Sequence, residues 1–347
     1  MLYIHHTTCI SPQHTFPSVD LKQLYESVNN QLRVREPVYE GIPPGMLRRM
    51  GKAVRFGLGA ALPLVRTTPS LDGIIIGTAN GGMEDCIKFL NQIIDYEEGL
   101  LAPGNFVQST PNAIAGQISM VSRNKAYNIT HVHRGLAFET ALLDAMMHVA
   151  ERPSHNYLLG AVDEISAYNY NIDYLAGWYK KEPLSNLGLY ESETSASLAG
   201  EGAAMFIVNG SITGASARIR GLQTLHTDDE HIVHAQLLQF IEKYLPVGEA
   251  VDVLLHGENG DIRLQKYYSI TESFDGNETT IARFKHMTGE FPTAAALGCW
   301  LAVQAIQLQE LPAHMIKRQG AKNNFRNILL YNNYKGVQHS FILLSAL

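Results

Sequence analysis

Cysteine is scarce in this chain: Cys9, Cys86 and Cys299 are the only three in 347 residues. They show no metal-ligand spacing, and so few in a chain this long exclude a disulfide-stapled scaffold and suit a reducing cytoplasm. Long apolar runs are lacking too. No stretch approaches the roughly 18 consecutive apolar residues of a membrane span, and residues 1–6 carry neither the charged start nor the apolar run of an export signal. The expectation is a cytoplasmic chain without a membrane anchor. Basic runs, Pro-rich tails and low-complexity segments are absent as well, and with a net charge of −6 a nucleic-acid-binding surface is not expected.

What is present is a large apolar fraction, 46% of residues. It can build a substantial core, and the length fits two units at roughly 100–200 residues each. Continuous apolar runs at 73–76, 157–162, 205–208, 251–255, 327–331 and 341–344 read as strands covered on both faces. Between them, residues 136–150, 230–244 and 293–309 repeat apolar positions at i, i+3 and i+4, which predicts helices. An α/β sandwich follows, with a boundary between halves near Asn209-Gly210.

Residues 127–149 carry the most information. Tyr127-Asn128-Ile129-Thr130 reads as a short strand that turns through His131-Val132-His133-Arg134-Gly135 into one of those helices. A turn of this kind normally presents a nucleophile, because the positive end of a helix lowers the pKa of a thiol placed there. Val132 sits at its tip. Elsewhere, Gly77-Thr78-Ala79-Asn80-Gly81-Gly82-Met83 links a strand to a helix, but it lacks the pattern of a dinucleotide loop and reads as a structural turn. Thr110-Pro111-Asn112-Ala113-Ile114-Ala115-Gly116 suits a closely packed helix start. Val253-Leu254-Leu255 leads as a buried strand to His256-Gly257, and Lys285 precedes Glu290 in Lys285-His286-Met287-Thr288-Gly289-Glu290. His231 and His234 lie three apart on a helix without a third ligand nearby and read as a solvated face.

Taken in order, these segments resemble the motifs of β-ketoacyl synthases, thiolase-fold enzymes that elongate acyl chains. The elbow resembles Ser/Thr-x-Cys-x-Ser-Gly, with Gly135 on the family glycine and Val132 on its nucleophilic cysteine. Residues 110–118 resemble the Pro-Asn-x-x-Ala-Gly helix, and Gly200-Glu201-Gly202-Ala203 the Gly-Glu-Gly-Ala strand. His256-Gly257 is similar to the start of His-Gly-Thr-Gly-Thr. Residues 285–296 resemble Lys-Ser-x-x-Gly-His, with Glu290 where the second histidine belongs and Cys299 where a supporting glutamate usually stands. Tyr334 aligns with an aromatic gate over the acyl pocket, Lys335 and Gly336 with its paired glycines.

The resemblance implies a thiolase-like α/β fold: two pseudo-repeated halves, 1–209 and 210–347, in a five-layered α/β/α/β/α sandwich. It also implies a damaged condensing site. Valine cannot carry an acyl chain as a thioester, and near pH 7 a carboxylate repels the enolate that an imidazole would stabilise. Of the family's Cys-His-His set, His256 remains. No bound cofactor is implied; substrates arrive on the phosphopantetheine arm of an acyl carrier protein. The implied partners are that carrier and either a Cys-containing ketosynthase in a heterodimer or a second copy in a homodimer.

The first expectation is a chain-length-factor-type subunit of a type II polyketide system. The run from His133 to Glu139 is similar to partners in bacterial aryl-polyene and flexirubin-type pathways. A second expectation is an enzyme acting on acyl or malonyl thioesters without a cysteine. There His131, His133, Glu290 and His256 would surround a pocket as acid and base groups; the resemblance also places Lys285 with the catalytic set, and Tyr334 and Gly336 beside His131 and His133 on the substrate. A scaffold or carrier-docking module is a third.

Overall fold

The computed structural model describes residues 1–347 apart from 100, 102, 275–277 and 323. From the N-terminus the strands are β1 (Leu2–Ile10), β2 (Gln31–Leu32), β3 (Gly73–Gly77), β4 (Tyr127–His131), β5 (Tyr157–Asp163), β6 (Ala199–Gly200) and β7 (Gly202–Asn209). They continue as β8 (Ala217–His226), β9 (Val253–His256), β10 (Thr280–Arg283), β11 (Ile316–Arg318), β12 (Asn327–Tyr334) and β13 (Gln338–Ser345). Short β2 and β6 pair with each other; the rest form one mixed sheet in the order β11-β10-β9-β12-β13-β8-β1-β7-β5-β3-β4.

That order is one pattern used twice. Outward from β1 come β7 and β5, each antiparallel to the strand before, then β3 and β4, each parallel. Outward from β8 come β13 and β12, antiparallel, then β9 and β10, parallel. A short antiparallel ladder from Leu2↔Ile219 to Ile4↔Ala217 joins β1 to β8.

Helices form three layers around the two halves of this sheet. Lys52–Thr67 and Ala113–Ser122 cover one outer face, where Phe56 and Ile114 meet Ile74, Ile76 and Met205. Glu230–Tyr244 and Gln265–Thr271 cover the other, where Leu237 and Tyr268 meet Leu254, Leu329 and Tyr331. Between the halves lie Ala137–Glu151 and Ala294–Leu308, and there Phe138, Leu142 and Trp300 pack with Ile75, Phe206, Leu255 and Leu330. Alternate residues of one strand therefore serve different layers: Ile75 points to the middle, Ile74 and Ile76 outward. This is why the strands read as unbroken apolar runs. The middle helix Ala294–Leu308 has no polar face, since every residue from Ala294 to Val303 is buried. In this layer a truncation such as Leu142→Ala is expected to cost about 2–5 kcal/mol. Among the described residues, no helix is long and apolar enough to cross a membrane.

Candidate active site

At the end of β4 the chain turns sharply. Arg134 takes a left-handed φ of 48°, uncommon outside glycine, and a single 3-10 turn, Arg134–Leu136, leads into the middle helix Ala137–Glu151. Val132 stands at the tip with 53% of its surface exposed, while Gly135 and Leu136 are buried. The backbone N–H of Gly135 donates to Gln338 Oε1 at 3.0 Å. A Cβ at position 135 would overlap the side chain of Tyr334, so glycine here lets the aromatic lie directly on the elbow. Burial pushes the Tyr334 hydroxyl well up, and the carboxylates of Asp173, Glu290 and Asp163 push it further. Beyond Tyr334, Lys335 (φ 56°) and Gly336 (φ 74°) turn the chain into β13, and Tyr334 pairs with Gln338 across the hairpin. Lys335 forms an ion pair with Asp173. The segment that resembled a glycine-paired gate loop is thus a tight hairpin held by that pair.

The second cluster follows β10. Lys285 and Glu290 are both buried; Lys285 Nζ donates to Glu290 Oε1 at 2.7 Å, and Asn259 Nδ2 donates to Glu290 Oε2 at 2.8 Å. An ammonium and an amide therefore occupy both oxygens. The Glu290 backbone is pinned as well, its N–H donating to Leu198 O and its carbonyl accepting from Gly200 N. Such a carboxylate is held as a fixed charge by a donor on each oxygen. Asn259, which the sequence reading did not single out, completes the arrangement.

Glu139, in the first turn of the middle helix, was also missed. It is fully buried; Ser340 donates to its Oε1 at 2.6 Å and its Oε2 has no partner. Burial raises its carboxyl to about 7, against the opposing pull of Lys285. The Cys299 thiol is pushed up chiefly by burial and also by Glu139. Glu139 and Cys299 thus act on one another within the middle layer. Cys9 is likewise inert, its thiol raised to about 12 by burial, and Cys86 lies within the helix Met83–Asp95. Asp163, at the end of β5, accepts from Thr78 Oγ1, the N–H groups of Ala79 and Asn80, and Thr293 Oγ1. The turn after β3 is therefore organised around a buried carboxyl of the chain itself.

His256 departs from expectation. Val253 and Leu255 face the middle layer, Leu254 faces the outer one, and the alternation sends His256 outward with Leu254. Its ring lies 4.9 Å from that of Tyr268, and its Nε2 is 2.9 Å from Thr271 Oγ1. The Thr271 hydroxyl donates to the carbonyls of Tyr267 and Tyr268, so it accepts from His256 Nε2–H. His256 Nδ1 lies 3.3 Å from Glu272 Oε1 and 3.9 Å from Glu258 Oε2. The ligand atoms of these three residues fall within 4.8 Å of one another, but Lys317 Nζ already lies 2.8 Å from Glu258 and 2.6 Å from Glu272, where a cation would sit. Burial would raise the Glu258 carboxyl; His256 and Lys317 overcome it and hold it at about 2.

His131 and His133 find their partners on the elbow helix Ala137–Glu151. His131 Nε2 lies 3.1 Å from Asp144 Oδ2, and the exposed His133 has Nδ1 3.2 Å from Thr140 Oγ1. The four groups proposed as acids and bases around one pocket thus have four separate sets of partners. Strand parity turns His256 outward, and Asp144 and Thr140 of the following helix engage the other two.

Comparison with known proteins fits this geometry. Residues 25–176 match the family profile described as "Beta-ketoacyl synthase, N-terminal domain". A β-ketoacyl synthase from Burkholderia phymatum STM815 superposes with a TM-score of 0.78 over 100% of this chain and 99% of that one, at 12% identity. The chain has the thiolase-like α/β fold of ketosynthases. Similar in the same way are the ishigamide ketosynthase/chain length factor (TM-score 0.76, 13% identity, 100% and 99% covered) and a ketosynthase in complex with its chain length factor from Xenorhabdus doucetiae (0.76, 11%, 100% and 98%). At these identities the likeness concerns fold. No curated protein matches the sequence.

Proposed function

We propose that this chain is a condensation-incompetent, ketosynthase-like subunit. It pairs with a Cys-containing β-ketoacyl synthase and, in the manner of a chain length factor, helps to wall the pocket in which the partner's acyl chain grows. One observation carries the reading: the elbow offers an aliphatic, half-exposed Val132, and the nearest family position for an acid–base group, Glu290, is consumed by Lys285 and Asn259. Without a thiolate at the helix tip there is no covalent acyl-enzyme and no acceptor for a malonyl-derived carbanion.

The surface around the elbow supports a pairing role. Among the described residues β4 is the last strand at its end of the sheet and is hydrogen-bonded on one side only. Exposed Met120, Tyr127, Val132, Leu143 and Met147 belong to it, to the elbow that follows it and to the two helices that flank it. An open strand edge with apolar neighbours fits association with another chain. Two of the similar structures are named as ketosynthase and chain-length-factor assemblies, and that arrangement is the one proposed here. Acyl groups would reach the pair on a phosphopantetheine-bearing carrier protein, in a type II polyketide or fatty-acid-like pathway with a polyene product.

The test is co-expression with a Cys-containing ketosynthase and incubation of the pair with carrier-bound malonyl units. Elongation by the pair, with no malonyl consumption by this chain alone, is the expected outcome. Elongation by the partner at full rate and unchanged chain length without this chain would defeat the reading.

A further inference from the structure

We infer that the open edge of β4 is charged against a second copy of this chain and selects a partner strand flanked by carboxylates at both ends. The inference rests on the pairing reading and adds the chemistry of the partner. The chain enters β4 through Arg123-Asn124-Lys125-Ala126 and leaves it through Val132-His133-Arg134. Arg123, Lys125, His133 and Arg134 are all exposed. No ion pair engages Arg123, Lys125 or Arg134 among the described residues. Two carboxylates belong to the flanking helix. Asp144 is already committed: the Tyr127 hydroxyl donates to it at 3.1 Å, and His131 and His148 lie 3.1 and 3.6 Å away; Glu151 is exposed at the helix end, with Arg152 next to it. Arg123 and Lys125 at the entry, against Glu151 alone, and Arg134 at the exit leave both ends with a surplus of positive charge.

A second copy added with two-fold symmetry must run antiparallel, since the axis reverses the strand. Whatever the register, the entry end of one strand then faces the exit end of the other. Arg123 and Lys125 come toward the mate's Arg134, and the juxtaposition occurs twice. Like charges opposed across strands destabilise the pair. The apolar Tyr127, Val132, Leu143 and Met147 still favour association, so the edge is cohesive yet self-repelling. A foreign strand with Asp or Glu before and after it satisfies both properties.

The test is sedimentation velocity on the full chain at low ionic strength and at about 1 M salt, where the Debye length is roughly 3 Å. The wild-type chain is expected to be monomeric at low salt and to self-associate more as salt rises. R123E/K125E places carboxylates opposite the mate's Arg134; it should dimerise at low salt, with a dissociation constant lowered about tenfold or more and a reversed salt dependence. R134E should do the same from the other end, and both should weaken the complex with a co-expressed ketosynthase. These side chains are exposed, so unchanged thermal melts will show that the variants fold. A wild-type dimer at low salt, or variants that sediment like wild type, would overturn the inference while leaving elongation by a co-expressed pair untouched. Absence of any complex with a ketosynthase, with the salt reversal intact, would instead defeat the pairing reading.

Discussion

β4 and β10 hold matching places in the strand order, each the outer parallel strand of its half, yet the chain leaves them in opposite ways. After β4 it makes an elbow whose tip, Val132, faces solvent beside an unpaired strand edge. After β10 it dives inward, where Lys285 and Glu290 form a buried ion pair and the backbone of Glu290 is stitched to Leu198 and Gly200. A condensing site needs both exits to present reactive groups to one pocket. Here one exit is surface and the other framework: Val132 is half-exposed, while packing and backbone hydrogen bonds hold Glu290 in place.

The contrast is most exposed to mutation at the ion pair. Lys285→Met strands Glu290 as a buried, partly unpaired charge and should cost about 3–5 kcal/mol in urea unfolding, whereas Val132→Ala should stay within roughly 0.5 kcal/mol. Equal costs would erase the difference between the two exits. Gly135→Ala comes next. Its new methyl overlaps Tyr334, and overpacking of this kind costs about 1–3 kcal/mol. The penalty should shrink when Tyr334 is also truncated; a strictly additive double mutant would mean that the two do not touch.

Glu139 provides a pH test of the buried side. Its carboxyl rises from the ordinary 4.5 to about 7 on folding, so between those values the folded chain holds a proton that the unfolded chain has released. Stability from this group is therefore lost as pH rises through that window and stays low above it. Asp163, raised to about 6, and Glu164, raised to about 7, act with the same sign, so only a difference isolates Glu139. Glu139→Gln should gain stability relative to wild type between about pH 5 and about pH 8, read as a growing difference in melting temperature. A difference independent of pH would assign the raised value elsewhere. The smallest expected effect is that of Val132→Cys, which should leave stability unchanged, make the elbow open to alkylation, and restore no elongation, because Glu290 is ion-paired and His256 faces the outer layer.

The fold was legible because two levels of pattern agreed: unbroken apolar runs for strands sandwiched between helices, and ordered motifs for their sequence along the chain. The place of Val132 in the turn between strand and helix was legible because a strand, a short turn and an apolar-periodic helix leave little freedom in register. The direction of His256 was not. When a four-residue strand is apolar on both faces, no polar alternation reveals which face its last residue takes. Glu139 was hidden by its position, since an acidic residue in the first turn of a helix looks like an ordinary partner of the helix dipole. The signal available was its place beside Phe138, Ala141 and Leu142, all core residues. Asn259 lay in a loop read for its neighbour His256, and only the fold of that loop brings it to Glu290.

The decisive measurement is the mass of carrier-bound products made by a Cys-containing ketosynthase with and without this chain. Loss of elongation, or a shift in chain length, when the chain is omitted is the expected result. Identical products at an unchanged rate, or malonyl consumption by this chain by itself, would contradict its role as a nucleophile-free partner.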